Sequence, residues 1–157
     1  LRAGATEVTC VDSSASALDA LQATAAANGL KPSVVRGDAF DIMESMQAEK
    51  RRFDVVVIDP PAFIKRKKDT PKGEAAYKRL NQLALQLLDR DGIVVSCSCS
   101  YHLSPESLVE AIQRAARHVS RFVQIVEVGG QAPDHPIHPA IPETRYLKAN
   151  FCRAIHE

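Results

Sequence analysis

Two short segments carry the side chains best suited to chemistry. Phe53-Asp54-Val55-Val56-Val57-Ile58 runs into Asp59-Pro60-Pro61-Ala62-Phe63, and Gly92-Ile93-Val94-Val95 runs into Ser96-Cys97-Ser98-Cys99-Ser100. Each is an apolar run that stops on groups able to accept, donate or attack. A Val/Ile run with no polar alternation suits a strand buried on both faces, as in a parallel sheet covered by helices. Ligands of open α/β sheets bind beyond the carboxyl ends of the strands. Asp59 therefore stands where a site is expected, on a ledge stiffened by two fixed φ angles. Parallel strands end at one edge, so Asp59 and Cys97 are expected to face one cleft.

The ledge can hold an extruded planar base. Asp59 and the carbonyls of Pro60 and Pro61 would meet the ring edge while Phe63 offers a stacking surface; the plainer alternative is a surface turn with two prolines. Lys65-Arg66-Lys67-Lys68, with Lys72 beyond, follows at once. These cations can neutralise phosphates of a nucleic acid, each contact making affinity fall with salt, or they form an ordinary solvated loop. Cys97 can act as a nucleophile where nearby positive charge stabilises its thiolate. Cys99, two residues on in an extended chain, points the same way, and the remaining reading makes both thiols inert.

Two further carboxylates end strands. Glu7 to Val11 reads as a strand closing on Asp12, from which a carboxylate can take both hydroxyls of a ribose. Ser33 to Arg36 reads as the next strand, closed by Gly37-Asp38-Ala39-Phe40, where Asp38 can accept from an adenine amino group beside Phe40. Either Asp alone is equally a helix cap or turn residue. Two of them on consecutive strands favour a nucleoside-containing cofactor.

The elements that must position these groups alternate. Ser13 or Ser14 caps a helix with a Leu18, Leu21, Ala25 stripe that ends at Asn28-Gly29. Helices are expected over about 41–50 and 74–88, and an Asp91-Gly92 turn feeds the thiol strand. Ser104 caps a helix from Pro105 to about Val119. Such alternation predicts an α/β sandwich with parallel crossovers. Phe122 to Val128 and Tyr146 to Ile155 are strands with no helical period between them, so they are expected to pair antiparallel.

With 157 residues, 45% hydrophobic and 25% charged, the chain can bury one sizeable core. A net charge of +1 means that a polyanion must be held by a local patch. No apolar run is long enough for a membrane span and no leader opens the chain, which reads as cytoplasmic. Cys10, Cys97, Cys99 and Cys152 match no zinc spacing; Cys10 and Cys152 read as small buried hydrophobes. His102, His118, His135, His138 and His156 are scattered, and no metal is expected. Leu1-Arg2-Ala3-Gly4-Ala5 looks like the tail of a helix, so the chain is expected to begin inside a larger protein.

Taken together these motifs resemble the catalytic half of the ribosomal RNA large subunit methyltransferase I family. That family uses S-adenosylmethionine to make 5-methylcytosine in large-subunit RNA. The resemblance rests on Val11-Asp12-Ser13, Gly37-Asp38-Ala39-Phe40, Asp59-Pro60-Pro61-Ala62-Phe63, the Tyr77 to Leu88 helix with Leu80-Asn81, and Cys97-Ser98-Cys99-Ser100. It extends to Asp134-His135-Pro136, Pro142-Glu143-Thr144 and Tyr146-Leu147-Lys148. It implies a class I methyltransferase, Rossmann-like sheet, mostly parallel with an antiparallel C-terminal strand pair. Residues 1–157 would be the C-terminal part of one methyltransferase domain, lacking the N-terminal strand, its Gly-rich loop and an upstream RNA-binding domain.

By the same resemblance, Asp12 and Ser13 would hold the cofactor's ribose and Asp38, Ala39 and Phe40 its adenine. Asp59 would stand between cofactor and base. Cys97 corresponds to the nucleophile that adds to C6 of cytosine. Pro60, Pro61, Phe63 and Lys65 to Lys68 would meet the RNA. Related cytosine-5 enzymes place a second Cys where this chain has Ala62, so Cys99 is the candidate for assisting proton removal or thiol release. Such a fragment is expected to bind the cofactor weakly and to be inactive by itself. Methylation of an exocyclic base nitrogen and a non-catalytic RNA-binding remnant are the competing readings; oligomeric state, a homodimer included, is left open.

Overall fold

The structure, a computed structural model, describes residues 1–155; His156 lies outside the described residues. The chain divides into two compact units, Leu1–Ala48 and the residues from Glu49 onward.

In the first unit, β1 (Thr9–Asp12) pairs in parallel with β2 (Ser33–Arg36), in register from Thr9 opposite Ser33 to Asp12 opposite Arg36. Between them runs α1 (Ala15–Ala27). Ser14 caps it, its hydroxyl accepting from the Ala17 amide, and the helix stops at Asn28 before Gly29 with φ +67°, a backbone geometry that suits glycine. Helix α2 (Ala39–Ala48) follows β2 with Asp41 in its first turn and buries Met43 and Met46. It starts earlier than the sequence pattern indicates, because Asp38 closes the strand and opens the helix at once.

The second unit is built on a four-stranded sheet. Its strands are β3 (Phe53–Ile58), β4 (Leu88–Ser98), β5 (Phe122–Gly129) and β6 (Lys148–Ile155), in the order β3-β4-β6-β5. β3 and β4 are parallel; β6 runs antiparallel to both β4 and β5. The α/β alternation and the antiparallel closing pair thus agree with the expectation. Period counting does not reveal that β6 inserts between β4 and β5. Helices α3 (Thr70–Leu87) and α4 (Pro105–His118) pack on each other, and α3 also meets β3 and β4. Their apolar stripes, with Leu80, Leu83 and Leu87 from α3 and Leu108, Ile112 and Ala115 from α4, are buried with Ile58 and Val94. Ser104 caps α4 through the Ser107 amide.

Three expectations need correction. β3 is not buried on both faces: Ile58 is, but Val55 and Val57 are 55% and 62% exposed. Strand alternation sends them to the face opposite α3, so an unbroken apolar run did not guarantee two covered faces. No separate turn precedes the thiol strand. β4 starts at Leu88 directly after α3, and its pairing jumps from Phe53–Leu88 to Val55–Ile93, with Asp91 in the left-handed region at φ 59°. The intervening residues form a bulge. Helix α3 begins at Thr70 rather than near Glu74, with Pro71 in its first turn, where a missing amide proton costs nothing.

Candidate active site

Register brings the two chemical segments of the second unit together. β3 and β4 pair Val57 with Val95 and Ile58 with Ser96, so the next positions are Asp59 and Cys97. Their charges interact. The Cys97 thiol is pushed up from 9.0 to about 11, mainly by burial and further by the Asp59 carboxylate, both of which disfavour a thiolate. Asp59 itself is exposed, and Cys97 and Cys99 are half-buried.

Alternation along β4 divides the Ser/Cys run into two functions. Ser96, Ser98 and Ser100 are buried, while Cys97 and Cys99 lie at the alternate positions. The Cys99 thiol points its hydrogen at the Pro60 carbonyl over 3.8 Å, so the thiol strand touches the proline ledge directly.

The buried serines hold the ledge in place. The Ile64 amide donates to Ser100 Oγ at 3.2 Å, Ser100 Oγ shares a hydrogen bond with Tyr77 Oη at 2.9 Å, and Ser98 Oγ donates to the same phenol at 2.8 Å. The Ser100 amide in turn donates to Ser98 Oγ at 3.1 Å. Tyr77, on α3, is 1% exposed, and the Phe63 ring lies against it with centroids 4.9 Å apart at 56°. Phe63 is therefore braced by Tyr77 and is not a free-standing platform. Asn81, a turn further along α3, donates from Nδ2 to the Tyr77 carbonyl. Helix and ledge approach so closely that a Cβ on Gly73 would clash with Ile64 Cγ1. Glycine is required there for space.

Lys148 comes from β6, opposite Ser98. Its ammonium donates to the carbonyls of Ser100 at 2.6 Å and Leu103 at 2.8 Å, pinning the turn that follows the thiols. Burial lowers its pKa, and the charge of Cys99 works against that lowering. Tyr77, Ser98, Ser100, Gly73 and Lys148 were not singled out by sequence reasoning as parts of the site. The readable signal for Lys148 was the Tyr146-Leu147-Lys148 motif, and for the serines their place in the Cys97-Ser98-Cys99-Ser100 motif.

The basic run is exposed, but it is not a plain loop. Lys67–Asp69 form a 3-10 turn, Arg66 Nε pairs with Asp69 Oδ2 at 3.2 Å, and Thr70 Oγ1 donates to the Lys67 carbonyl. Between β5 and β6, Gln131 Oε1 accepts from the Tyr146 amide, and His138 Nδ1 accepts from the Ala140 amide. Asp134 and His135 form an exposed pair at 3.3 Å. Among the described residues no three His, Cys, Asp or Glu side chains stand together as a metal site, and no helix is long and apolar enough to cross a membrane.

In the first unit, the two strand-end carboxylates share one sheet edge. Asp12 Oδ1 accepts from the Ser14 amide at 2.7 Å and Asp38 Oδ1 from the Phe40 amide at 2.8 Å, while the Gly37 amide donates to the Asp12 carbonyl. These turn bonds fix the two carboxyl groups in exposed positions. Cap and ligand roles are thus compatible on the same side chain.

A helix-flanked sheet with parallel strands and an antiparallel closing pair is the fold of class I methyltransferases. A structure described as a methyltransferase complexed with SAH superposes with a TM-score of 0.81 at 19% identity, covering 96% of this chain and 40% of that one. NSun6 from Pyrococcus horikoshii with SFG gives 0.70 at 16%, covering 96% and 42%. The chain belongs to the methyltransferase small domain family, whose model matches residues 1–122. It is 37% identical over 158 aligned positions to ribosomal RNA large subunit methyltransferase I of Klebsiella pneumoniae, covering 99% of this chain. The chain spans 40% of the length of that relative.

Proposed function

We propose that this chain is part of an S-adenosylmethionine-dependent methyltransferase that methylates C5 of a cytosine in large-subunit ribosomal RNA, in the cytoplasm. The observation that carries this reading is the meeting of a carboxylate and two thiols at the parallel ends of β3 and β4. A name shared by relatives of 36–37% identity supports the RNA substrate.

The residues of the first unit fit a nucleoside. Asp12 with Ser13 is assigned to ribose hydroxyls, and Asp38 with Ala39 and Phe40 to adenine, because exposed carboxylates with one oxygen fixed by a turn amide keep an acceptor free. Bound there, the cofactor supplies an electrophilic methyl group on a sulfonium. In the second unit, Asp59 and the Pro60 and Pro61 carbonyls address the ring edge of the base, while Phe63, braced by Tyr77, covers its face. Lys65, Arg66, Lys67 and Lys68 are assigned to phosphates.

C5 of cytosine is a poor nucleophile. A thiolate that adds to C6 forms an S–C6 bond and moves the ring electrons toward C5 and N3, where Asp59 in its neutral form would donate to N3 and meet the developing charge. Once C5 has gained the methyl group that the bound cofactor would supply, loss of the C5 proton to a base returns an electron pair to the ring and expels the thiolate. Either Cys97 or Cys99 can lie on this route, the second thiol assisting proton transfer.

The test uses the full-length enzyme with RNA containing 5-fluorocytosine. A covalent protein–RNA adduct that maps to Cys97 or Cys99, and disappears in the Cys97→Ala, Cys99→Ala double variant, is the expected result. Full turnover by that double variant would instead assign the ledge to methylation of an exocyclic nitrogen. Failure of the full-length protein to bind S-adenosylhomocysteine would leave only an RNA-binding role.

A further inference from the structure

Immediately after the thiols the chain makes a four-residue turn. The Leu103 amide donates to the Ser100 carbonyl at 3.1 Å, so Tyr101 and His102 are the two central residues. Gly, Pro, Asn, Asp and Ser usually fill such corners, each for a backbone reason. Here two rings stand there instead. Both are exposed, Tyr101 by 45%, while the flanking Ser100 and Leu103 are buried. The rings meet edge to face, with centroids 5.4 Å apart at 66°, so His102 braces Tyr101 and leaves at least one face of the phenol ring uncovered. Resting on the methyltransferase reading above, we propose that Tyr101 is the stacking platform for the RNA base that adjoins the target cytosine.

The turn is anchored beside the reacting groups. Lys148 Nζ donates to the carbonyls of Ser100 and Leu103 at 2.6 and 2.8 Å, which fixes both ends of the turn from β6. Ser100 Oγ also accepts from the Ile64 amide, so one residue ties the turn to the proline ledge. Two residues of extended chain span at most about 7 Å, and Tyr101 therefore stands within that backbone distance of Cys99. Lys65 to Lys68 follow the ledge directly, so cations for the phosphates flank the same segment. Extruding a cytosine from its stack leaves the neighbouring base with one bare face. An exposed aromatic ring replaces the lost stacking, and it tolerates any sequence because every base has a π-face. The two aromatic side chains then divide the work: Phe63, braced by Tyr77, covers the target base, and Tyr101, braced by His102, covers its neighbour. A turn pinned at both ends loses little freedom when the base arrives.

The experiment uses the full-length protein and a short single-stranded RNA with one cytosine flanked on each side by 2-aminopurine, whose fluorescence falls when it stacks. Tyr101→Ala is expected to raise Kd about 5- to 140-fold, the range of one base–aromatic stack. That factor is expected to be the same at low and high salt, because no charge is removed. The bound complex of the parent is expected to be dimmer than that of Tyr101→Ala. Tyr101→Phe is expected to keep both the affinity and the quenching, and Tyr101→Leu, which keeps apolar bulk without a ring, to lose the quenching; these two variants decide if Tyr101→Ala does not fold. Equal brightness of the bound complexes, an unchanged Kd, or no binding of this RNA by the parent overturns the proposal. Methylation that continues with unchanged RNA affinity in Tyr101→Ala refutes the platform alone. A stack that depends on Tyr101, in a protein that neither binds S-adenosylhomocysteine nor methylates RNA, refutes the broader reading alone.

Discussion

Tyr77→Phe isolates the hydroxyl network that holds the proline ledge against the thiol strand. The substitution removes one oxygen and keeps the ring, so the packing of Phe63 on residue 77 is retained. Two hydrogen bonds disappear, those to Ser98 Oγ and Ser100 Oγ. Ser100 Oγ keeps the Ile64 amide and Ser98 Oγ keeps the Ser100 amide, but the Ser98 hydroxyl proton loses its acceptor at a site with 0% exposure. One lost net hydrogen bond of about 1 kcal/mol plus an unpaired buried donor of about 1–3 kcal/mol gives a cost of about 2–4 kcal/mol. In a domain of this size about 3 kcal/mol lowers Tm by roughly 6–12 °C. Urea unfolding of the intact protein measures the cost, and a cycle with Ser98→Ala measures the coupling, expected at about 1–2 kcal/mol because both changes remove the same bond. A Tyr77→Phe protein within about 0.5 kcal/mol of the parent, with no coupling to Ser98, refutes the argument that this network holds the ledge.

Further outcomes follow from other contacts. Gly73→Ala places a methyl group against Ile64, so it is expected to cost about 1–3 kcal/mol in urea unfolding and to weaken RNA binding by displacing the ledge. Arg121→Ala leaves the Leu88 and Asp89 carbonyls at the end of α3 without the guanidinium that now bonds them at 2.6 and 3.0 Å; a loss of about 2–4 kcal/mol is expected from the denaturation midpoint. Cys97 and Cys152 both have thiols raised from 9.0 to about 11. Above pH 9 the unfolded chain loses these protons before the folded one does, so their contribution to stability is intact below 9 and is lost as pH rises through about 11. Thermal melts across that window are expected to fall less steeply in a Cys97→Ser, Cys152→Ser double variant.

The sequence by itself determined the local order of the fold. Caps at Ser14 and Ser104, the glycine after Asn28 and the apolar runs at β3 and β4 place the elements, because each of these signals is satisfied within a few residues of chain. It also determined that an acid and two thiols end strands, and that the closing strands pair antiparallel. Only tertiary structure decided the rest. Lys148 reaches Ser100 and Leu103 because β6 inserts beside β4, a choice made by long-range pairing that no periodicity records. Val55 and Val57 remain exposed because burial depends on what covers each face, while hydropathy reports only the residue. The serines alternating with the cysteines became ledge supports because Tyr77, far along the chain, supplies the phenol between them. The thiols followed the same division: residue types placed both at one strand end, and folding set Cys97 beside the Asp59 carboxylate and Cys99 against the Pro60 carbonyl.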